Sequence, residues 1–293
     1  MPETIAPPFA YFGGKQRMAD DIVSLFPEHG HYVEPFGGGL SVLLAKPMSR
    51  METVNDLDGD LMHFWRMLRE RPEDLARACA LTPHSRAEHA LSRDRDVPDD
   101  IERARRVWVA LTQGRGGQLV RTGWRHYVAP GGTSMGMPGY LAGYVERMAA
   151  AAARLQHVSL ECRPALEVIE HYGRDRDTLL YVDPPYLGAT RGSSHSYRHE
   201  MRKPDEHIDL ANALSAAVAT VILSGYSSPL YDDLYSGWHH VRLAAFTGQG
   251  NHSPNGKGQR VEVLWSNRPL AAPETLFDTL THESADPSSG GVS

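Results

Sequence analysis

The stretch that decides the fold of this chain is Leu179-Leu180-Tyr181-Val182-Asp183-Pro184-Pro185-Tyr186. Its first half is an apolar, β-prone run of the kind that forms a buried strand in a parallel sheet. The run must stop at the two prolines, because neither can donate a hydrogen bond to a neighbouring strand. Ligands of open α/β sheets bind beyond the carboxyl ends of the strands. The stretch therefore predicts an α/β fold that presents a carboxylate, a carbonyl and an aromatic ring at a ligand site.

A glycine turn upstream has features of a nucleotide site. A short β run at residues 31–34 leads into this turn and then into an apolar helix start. Gly37 and Gly39 match the pattern G-x-G-x-x-G, but Val42 stands where the third glycine would be. The next predicted strand ends near Asp56, where an acid can bind a ribose diol. This order favours a ligand with an adenosine that carries no phosphate. The alternative role for Asp56 is an N-cap for a helix at residues 61–68.

A second glycine segment, Phe12-Gly13-Gly14-Lys15, precedes a predicted helix near the N-terminus. Paired glycines let a backbone approach a ligand closely, and the Lys15 ammonium can meet a carboxylate. The segment is not a P-loop, because Gln16 replaces the Ser or Thr of that motif. Taken alone, it is equally compatible with a plain turn and with a ligand contact.

The β/α alternation stops between about residues 60 and 150. Helices are predicted at residues 61–68, 74–81, 100–112 and 144–155, around a stretch rich in Gly, Arg and aromatic residues. Residues 101–125 hold six arginines against one acid. Such a mixture suits phosphate contacts and the reading of base edges. The alternative is a helical lid with its arginines in surface ion pairs.

The α/β pattern returns after residue 150. It predicts strands at residues 158–161, 178–182 and 220–223, helices at 165–172 and 205–217, a turn at 224–229, and an antiparallel strand pair at 239–246 and 261–266. Residues 187–203 are basic and poor in apolar anchors, which predicts a mobile loop. Residues 270–293 carry four acids and no Lys or Arg, which predicts a disordered acidic tail.

Composition restricts the classes of protein. No apolar segment approaches the ~20 residues of a membrane span, and two cysteines in 293 residues favour a reducing, cytoplasmic setting. His195 and His199 have a spacing that zinc ligands can have, but no Glu follows His195 and no Cys is near. We therefore expect no metal and no membrane partner. The net charge of −6 argues against a chain coated in positive charge, so the basic surfaces are local.

In chain order, the motifs resemble those of the Dam-type family of DNA adenine N6-methyltransferases, particularly its phage and prophage-borne members. The resemblance runs from about Phe9 to Asn267, most of the chain. The residues that carry it are Phe12-Gly13-Gly14-Lys15, Glu34-Pro35-Phe36-Gly37-Gly38-Gly39, Asn55-Asp56-Leu57-Asp58, Asp183-Pro184-Pro185-Tyr186, Leu223-Ser224-Gly225-Tyr226 and Glu262-Val263-Leu264-Trp265-Ser266-Asn267.

The resemblance implies a Rossmann-like sheet that binds S-adenosylmethionine, with a mainly helical target-recognition domain inserted in it. The catalytic domain would comprise residues 1–59 and 151–269, and the insertion residues 60–150. Tyr11 and Lys15 would contact the methionine end of the donor and Asp56 its ribose. The full set of expected donor contacts is Tyr11, Lys15, Pro35, Phe36, Gly37, Gly39, Asp56 and Asp183. Members of this family commonly place an acid near strand three against the donor's adenine, but here that stretch is Glu161-Cys162-Arg163-Pro164, so this contact has no assigned residue.

The Asp-Pro-Pro-Tyr motif supplies the chemistry that methylation of an adenine amine needs. The Asp183 carboxylate and the Pro184 carbonyl can each accept one N–H bond from the amine, and Tyr186 can stack on a flipped base. We expect double-stranded DNA to be the partner of a monomer or weak dimer, with contacts from Arg115, Arg121, Trp124, Arg125 and Lys203. Two alternatives stay open: methylation of cytosine N4, and a catalytically silent DNA-binding protein of this fold.

Overall fold

The computed structural model describes residues 5–126, 136–186, 201, 203–245 and 260–270. The predicted mobile loop, apart from residues 201 and 203, and the acidic tail beyond residue 270 lie outside the described residues. In chain order, the elements are α1 (Ala19–Ser24), β1 (His31–Glu34), α2 (Ser41–Ala45), β2 (Met51–Asn55), α3 (Gly59–Glu70), α4 (Pro72–Ala80), α5 (Arg86–Leu91), α6 (Asp100–Gln113), α7 (Met137–Glu146), α8 (Met148–Leu155), β3 (Val158–Glu161), α9 (Ala165–Tyr172), β4 (Thr178–Val182), α10 (Pro204–Ala216), β5 (Thr220–Tyr226), α11 (Pro229–Leu234), β6 (His239–Ala245) and β7 (Arg260–Ser266).

The seven strands form one sheet in the order β3-β2-β1-β4-β5-β7-β6. The first five of these positions are parallel, and β7 runs antiparallel to both β5 and β6. The order in which strands are added reverses at the β1–β4 pair. From β1 the chain continues to β2 and β3 on one side of the sheet, and from β4 it continues to β5 on the other. Crevices that bind ligands form at such a switch point. The predicted α/β class with a Rossmann-like sheet is confirmed.

The predicted turn at residues 224–229 begins too early. Ser224, Gly225 and Tyr226 continue β5, because they pair with Leu264, Val263 and Glu262 of β7. A pairing with a strand that comes some forty residues later in the chain is invisible in the local pattern. The extension brings Ser224 and the β7 carboxylate Glu262 to the same edge of the sheet as Asp183.

The helices α3 to α8 pack on the β1–β2 side of the sheet around two fully buried tryptophans. The indole N–H of Trp65 donates to the Gly38 carbonyl (3.1 Å), and that of Trp108 donates to the Pro8 carbonyl (3.0 Å). The helix predicted at residues 144–155 is two helices that meet at Arg147. Residues of the predicted insertion thus share one apolar core with β1 and β2, while the domain division at residues 60 and 150 stays a prediction.

A buried ion cluster joins β2 to α8. The Glu52 carboxylate accepts hydrogen bonds from Lys46 (2.7 Å) and from Arg154 (2.8 Å). All three side chains are at most 5% exposed. Burying these charges is tolerable only because they compensate one another, and loss of one partner would leave an uncompensated charge.

In the part of the chain that is described, no helix has the length and apolar character to cross a membrane.

Candidate active site

Asp183 follows β4 at the centre of the sheet. β4 is buried along its whole length and lies between β1 and β5. Its pairing with β5 ends at Val182, as expected from the two prolines that lack amide hydrogens. The Asp183 side chain is 18% exposed, so the carboxylate is partly desolvated yet accessible from the adjoining cavity.

Lys15 is the cation nearest to the Asp183 carboxylate among the ion pairs of the described residues. Its ammonium donates to Oδ1 (2.8 Å) and Oδ2 (2.7 Å) of Asp183, and its side chain is only 6% exposed. A turn holds the segment before it, where the Gly14 amide bonds the Tyr11 carbonyl (3.0 Å) and Gly13 has a φ of 76°. The expected contact of Lys15 with the donor remains a prediction, and the contact that the structure shows is with the Asp183 carboxylate.

Two further side chains, Glu262 and Ser224, complete this cluster, and no role for them was predicted from the sequence. The Tyr186 hydroxyl donates to Oε1 of Glu262 (2.8 Å), and the Ser224 hydroxyl donates to the same oxygen (2.7 Å). Lys15 also hydrogen-bonds Tyr186 and lies 3.6 Å from Glu262 Oε1. The sequence signal that could have found Glu262 is an acid inside the apolar strand run Val-Glu-Val-Leu-Trp, where a charge needs partners.

Burial shifts the pKa values of two carboxyl groups beside the site. Desolvation raises the pKa of Asp183 to about 6; Lys15 opposes the rise and Glu262 adds to it. Desolvation also raises the pKa of Glu34 to about 8, against the hydrogen bond that the Tyr32 hydroxyl donates to it (2.9 Å). At neutral pH, Asp183 is therefore mostly ionised and able to accept hydrogen bonds, while Glu34 mostly keeps its proton.

Asp56 organises the glycine turn after β1. One of its oxygens accepts from the Gly38 amide (2.9 Å) and the other from the Asp58 amide (2.8 Å). The N-cap of α3 is Asp58, whose carboxylate accepts from the amides of Asp60 and Leu61. The alternative role of Asp56 as the N-cap is therefore wrong: the helix begins at Gly59, two residues earlier than predicted, and the cap moves to the residue before it.

The glycines of this turn are packed too closely against their neighbours to carry side chains. A Cβ at Gly37 would lie 2.9 Å from Leu40 and 3.1 Å from the Asn55 carbonyl, and one at Gly39 would lie 2.9 Å from Tyr11. Gly38 has a φ of 50°, which is a left-handed conformation that glycine adopts without strain. The turn can therefore pack tightly beneath Tyr11 and keep its backbone at the surface of the cavity.

A cavity of about 320 Å³ connects the glycine turn with Asp183. All eight residues predicted to contact the donor line it: Tyr11, Lys15, Pro35, Phe36, Gly37, Gly39, Asp56 and Asp183. Pro184 and Tyr186 are not among its lining residues, although their neighbour Pro185 is. Carboxylates that sequence reasoning missed also line the cavity, namely Glu34, Asp58, Glu206 and Asp209.

The end of the cavity near β3 is apolar. Leu57, Pro164 and Leu166 line it, and the two leucines are 44% and 40% exposed. Pro164 belongs to the stretch in which an acid that contacts the donor's adenine was expected. Glu161, the acid of that stretch, does not line the cavity. The carboxylate that the chain offers from the neighbouring turn is Asp58.

A short hairpin carries the predicted DNA contacts. Gly114 and Trp124 form an antiparallel bridge, and the Arg125 amide donates to the Gln113 carbonyl (2.7 Å). The hairpin is fastened to the segment before Lys15, since the Phe12 amide donates to the Gly117 carbonyl (2.9 Å). The five predicted DNA-binding residues do not line the cavity, although Phe12, to which the hairpin is bonded, does.

Trp124 lies at the base of the hairpin in a stack of rings. Its indole is sandwiched between His84 (4.4 Å between centroids) and His126 (5.4 Å), and the Arg86 guanidinium lies 4.4 Å from its ring centre. Lys203 is the exposed N-cap residue of α10, on the other side of the cavity.

The six arginines of residues 101–125 divide into two groups. Those on α6 are in ion pairs: Arg103 with Asp60, and Arg105 and Arg106 with Glu102. None of the ion pairs formed by described residues involves the other three, which are Arg115, Arg121 and Arg125. The ion-paired alternative thus applies to the helix, and the hairpin arginines keep their charge available for phosphates.

A family model for D12 class N6 adenine-specific DNA methyltransferases matches residues 11–248. The chain belongs to this family. The resemblance inferred from the motifs is confirmed, and with it the chemistry: the enzyme transfers methyl groups from S-adenosylmethionine to the N6 amine of adenine in DNA. The alternatives of a cytosine N4 enzyme and of a silent binding protein are not what this family does.

Curated relatives agree with this assignment. The chain is 27% identical over 271 residues to a type II methyltransferase, M1.LlaDCHI, of Lactococcus lactis subsp. cremoris, which covers 87% of this chain and 93% of the relative. It is 24% identical over 260 residues to a DNA adenine methylase of Vibrio cholerae, with 84% of this chain and 90% of the relative covered.

Overlays on solved structures are weak. An rRNA methylase from Streptococcus thermophilus matches with a TM-score of 0.37 and 8% identity over 88% of this chain and 98% of that one. A SAM-dependent methyltransferase from Agrobacterium tumefaciens also gives 0.37, with 11% identity over 86% of this chain and 61% of that one. Such scores add nothing to the fold assignment, which rests on the strand order.

The residues of the cavity fit S-adenosylmethionine. The backbone of the glycine turn lines the cavity, and Asp56 lies after the second strand, where a ribose can be bound. The donor carries two cationic groups, a sulfonium and an ammonium, and the cavity lining is rich in carboxylates. Its single carboxylate can be met by Lys15, the lining residue with an ammonium group.

Proposed function

We propose that this enzyme methylates an adenine flipped out of double-stranded DNA, and that Asp183, Pro184 and Tyr186 hold the flipped base. The observation that carries the proposal is the continuous cavity, which joins the donor-type glycine turn to the Asp183 carboxylate. A base inside a duplex cannot reach a carboxylate at the end of a buried strand, so it must leave the helix, at a cost of a few kcal/mol.

The residues around Asp183 would hold the amine in a reactive geometry. If Asp183 and the Pro184 carbonyl each accept one N–H bond, the nitrogen lone pair is freed from the ring and can be aimed at an incoming methyl group. When bound, S-adenosylmethionine supplies a methyl group on a sulfonium. As the nitrogen takes up the methyl group, the Asp183 carboxylate would stabilise the positive charge that develops on it, until the extra proton passes to the solvent.

Support for the DNA face comes from the charges of the hairpin. Arg115 and Arg121 are exposed, and Arg125 lies 5.6 Å from the Tyr140 ring. We propose that these arginines, with Trp124 and Lys203, contact duplex DNA, and that residues 60–150 form the target-recognition domain. We further propose that the enzyme acts in the cytoplasm as a monomer or weak dimer, which sedimentation at micromolar concentration would test.

The decisive experiment compares the native enzyme with Asp183→Ala. We expect the variant to lose methyl transfer to DNA, because the amine loses its anionic acceptor, while circular dichroism shows that the fold persists. Methylation-aware sequencing of DNA from cells that express the native enzyme identifies the target motif, and nucleoside analysis identifies the product as N6-methyladenine. A fully active, folded Asp183→Ala enzyme would contradict the proposed role.

A further inference from the structure

Glu262 joins three segments of the active site at a single oxygen atom. Its Oε1 accepts hydrogen bonds from Tyr186 in the catalytic turn (2.8 Å) and from Ser224 in β5 (2.7 Å), and lies 3.6 Å from the Lys15 ammonium. The side chain is 3% exposed. None of the steps proposed above uses this carboxylate, although it contacts two of the groups that surround Asp183.

A buried acid with a purely structural role has different partners, as Glu52 shows. Its carboxylate is 1% exposed and is bound by Lys46 and Arg154, and none of these three residues lines the cavity. The partners of Glu262 are instead a cavity-lining lysine and the aromatic residue of the catalytic turn. Glu52 and Glu262 are buried to a similar extent, but only Glu262 contacts residues of the candidate active site.

We propose that Glu262 is a positioning residue for methyl transfer, which fixes the hydroxyl of Tyr186 and the ammonium of Lys15 against Asp183. The inference rests on the proposed roles of Asp183 and Tyr186. By holding the phenol oxygen, Glu262 sets the angle of the ring on which a flipped base would stack. The ring is confined on two further sides, by the Lys15 ammonium at 4.9 Å and by the Tyr226 ring at 4.5 Å.

Glu262 also acts on Asp183 through its charge. It opposes ionisation of Asp183, and Lys15 favours it. The titratable groups whose charges interact with Asp183 are Lys15 from the N-terminal segment, Glu34 from β1, Tyr181 from β4, Tyr186 from the catalytic turn, Tyr231 from α11 and Glu262 from β7. Glu206 and Asp209 of α10 line the same cavity. Removal of the β7 charge should therefore ease ionisation of Asp183.

The test is the pH profile of single-turnover methyl transfer by Glu262→Gln, on DNA that contains the identified target motif. We expect the rate to fall, by roughly 10- to 100-fold, because a neutral amide binds the Lys15 ammonium and the Tyr186 hydroxyl more weakly than the carboxylate does, so both groups are held less firmly. We also expect the acid limb of the profile to move to lower pH, because a negative charge beside Asp183 is gone. Either result without the other overturns the proposal.

The matched control is Glu52→Gln, which removes an equally buried carboxylate away from the cavity. We expect it to lower the free energy of unfolding while the acid limb keeps its position. If Glu262→Gln behaves in the same way as this control, the Glu262 carboxylate is structural only. Glu262→Ala should lose more activity than Glu262→Gln, because glutamine keeps an oxygen that can accept the Tyr186 hydrogen bond, and equal losses contradict the anchor.

A double-mutant cycle keeps the proposal testable if the Glu262 variants are unstable. Tyr186→Phe removes the hydroxyl and keeps the ring, so it should reproduce much of the loss in rate. Added to Glu262→Ala, it should lower the rate little further, because the hydrogen bond that it breaks is already gone. If Glu262→Gln does not fold, Tyr186→Phe with an unchanged rate suffices to reject the anchor.

The outcomes separate this inference from the proposed function. An active Asp183→Ala enzyme removes the basis of both. An inactive Asp183→Ala enzyme beside a fully active Glu262→Gln enzyme, with an unmoved acid limb, rejects the positioning role alone.

Discussion

In its proposed role, Asp183 holds the amine most strongly as a carboxylate, and its surroundings make ionisation harder than usual. Desolvation raises its pKa to about 6, from the 3.8 of an ordinary aspartate. We therefore expect methyl transfer to fall as the pH drops through about 6, well above the pH at which an ordinary aspartate takes up a proton. The rate of a single turnover between pH 5 and 8 measures this. A rate that stays level down to pH 5 would contradict the raised pKa.

Glu34 should make the stability of the enzyme depend on pH. Its pKa is about 8 in the folded chain, against 4.5 for an ordinary glutamate. Between pH 4.5 and 8, Glu34 holds a proton in the folded chain and releases it in the unfolded chain. The contribution of this proton to the free energy of unfolding is therefore complete below about pH 4.5 and is lost as the pH rises through 8. Its slope reaches at most about 1.4 kcal/mol per pH unit.

The substitution that tests this is Glu34→Gln, which keeps the shape and removes the titration. We expect the free energy of unfolding, measured in urea from pH 5 to 8, to fall less steeply with pH in the variant than in the native enzyme. Parallel curves for the two proteins would show that Glu34 titrates normally.

Single residues were predictable from the sequence where the chain itself marks their position. Asp183 and Asp56 follow apolar runs, so their location at strand ends could be inferred. The partners of Asp183 could not, because Lys15 lies 168 positions away in the chain and Glu262 comes from an antiparallel strand. Local patterns contain no information about which distant side chains meet a given carboxylate.

At the scale of elements, the hairpin around residues 113–125 should supply phosphate contacts. We expect the combined change of Arg115, Arg121 and Arg125 to alanine to weaken DNA binding. We also expect it to reduce the slope of log affinity against log salt concentration by about 0.9 for each arginine that contacts a phosphate. Fluorescence anisotropy between 50 and 200 mM salt measures both effects.

The control for charge alone is Arg174→Ala. Arg174 follows α9, is 72% exposed and forms an ion pair with Glu170 of that helix. Its removal should leave the salt dependence unchanged. If this variant lowers the slope as much as one hairpin arginine does, then overall charge and not the hairpin determines binding.

Elements whose ends are set by local chemistry were predicted closely, and those set by pairing were not. The prolines after Val182 end β4 at the predicted residue. In contrast, β5 extends to Tyr226 because β7 supplies partners. The start of α3 at Gly59 depends on the Asp58 cap, whereas the sequence analysis considered only Asp56 as a cap.

For the whole molecule, donor binding should add to the stability of the fold. Ligand that binds only the folded chain stabilises it by about 2.7 kcal/mol at 100 times its dissociation constant. Thermal unfolding with increasing S-adenosylmethionine should show a rising midpoint. We expect a smaller rise at equal donor concentration for Asp56→Asn, because the ribose loses a charged acceptor.

A surface substitution, Asp74→Asn, serves as the control for this experiment. Asp74 is 57% exposed on α4 and does not line the cavity. Its rise in midpoint should equal that of the native enzyme. A native enzyme whose midpoint does not respond to the donor would contradict the assignment of the cavity as the donor site.

The order of the strands has a consequence for folding of the enzyme during its synthesis on the ribosome. β1 pairs on one side with β2, which follows it closely, but on the other side with β4, whose residues 178–180 meet residues 31–33. The pairing must close a loop that contains the whole helical region, and such long-range contacts form slowly. A nascent chain that has been synthesised as far as α8 contains the glycine turn and the hairpin but still lacks β4, the central strand of the sheet. The methyl-transfer site, which needs both the glycine turn and Asp183, can therefore be complete only after translation has passed β4.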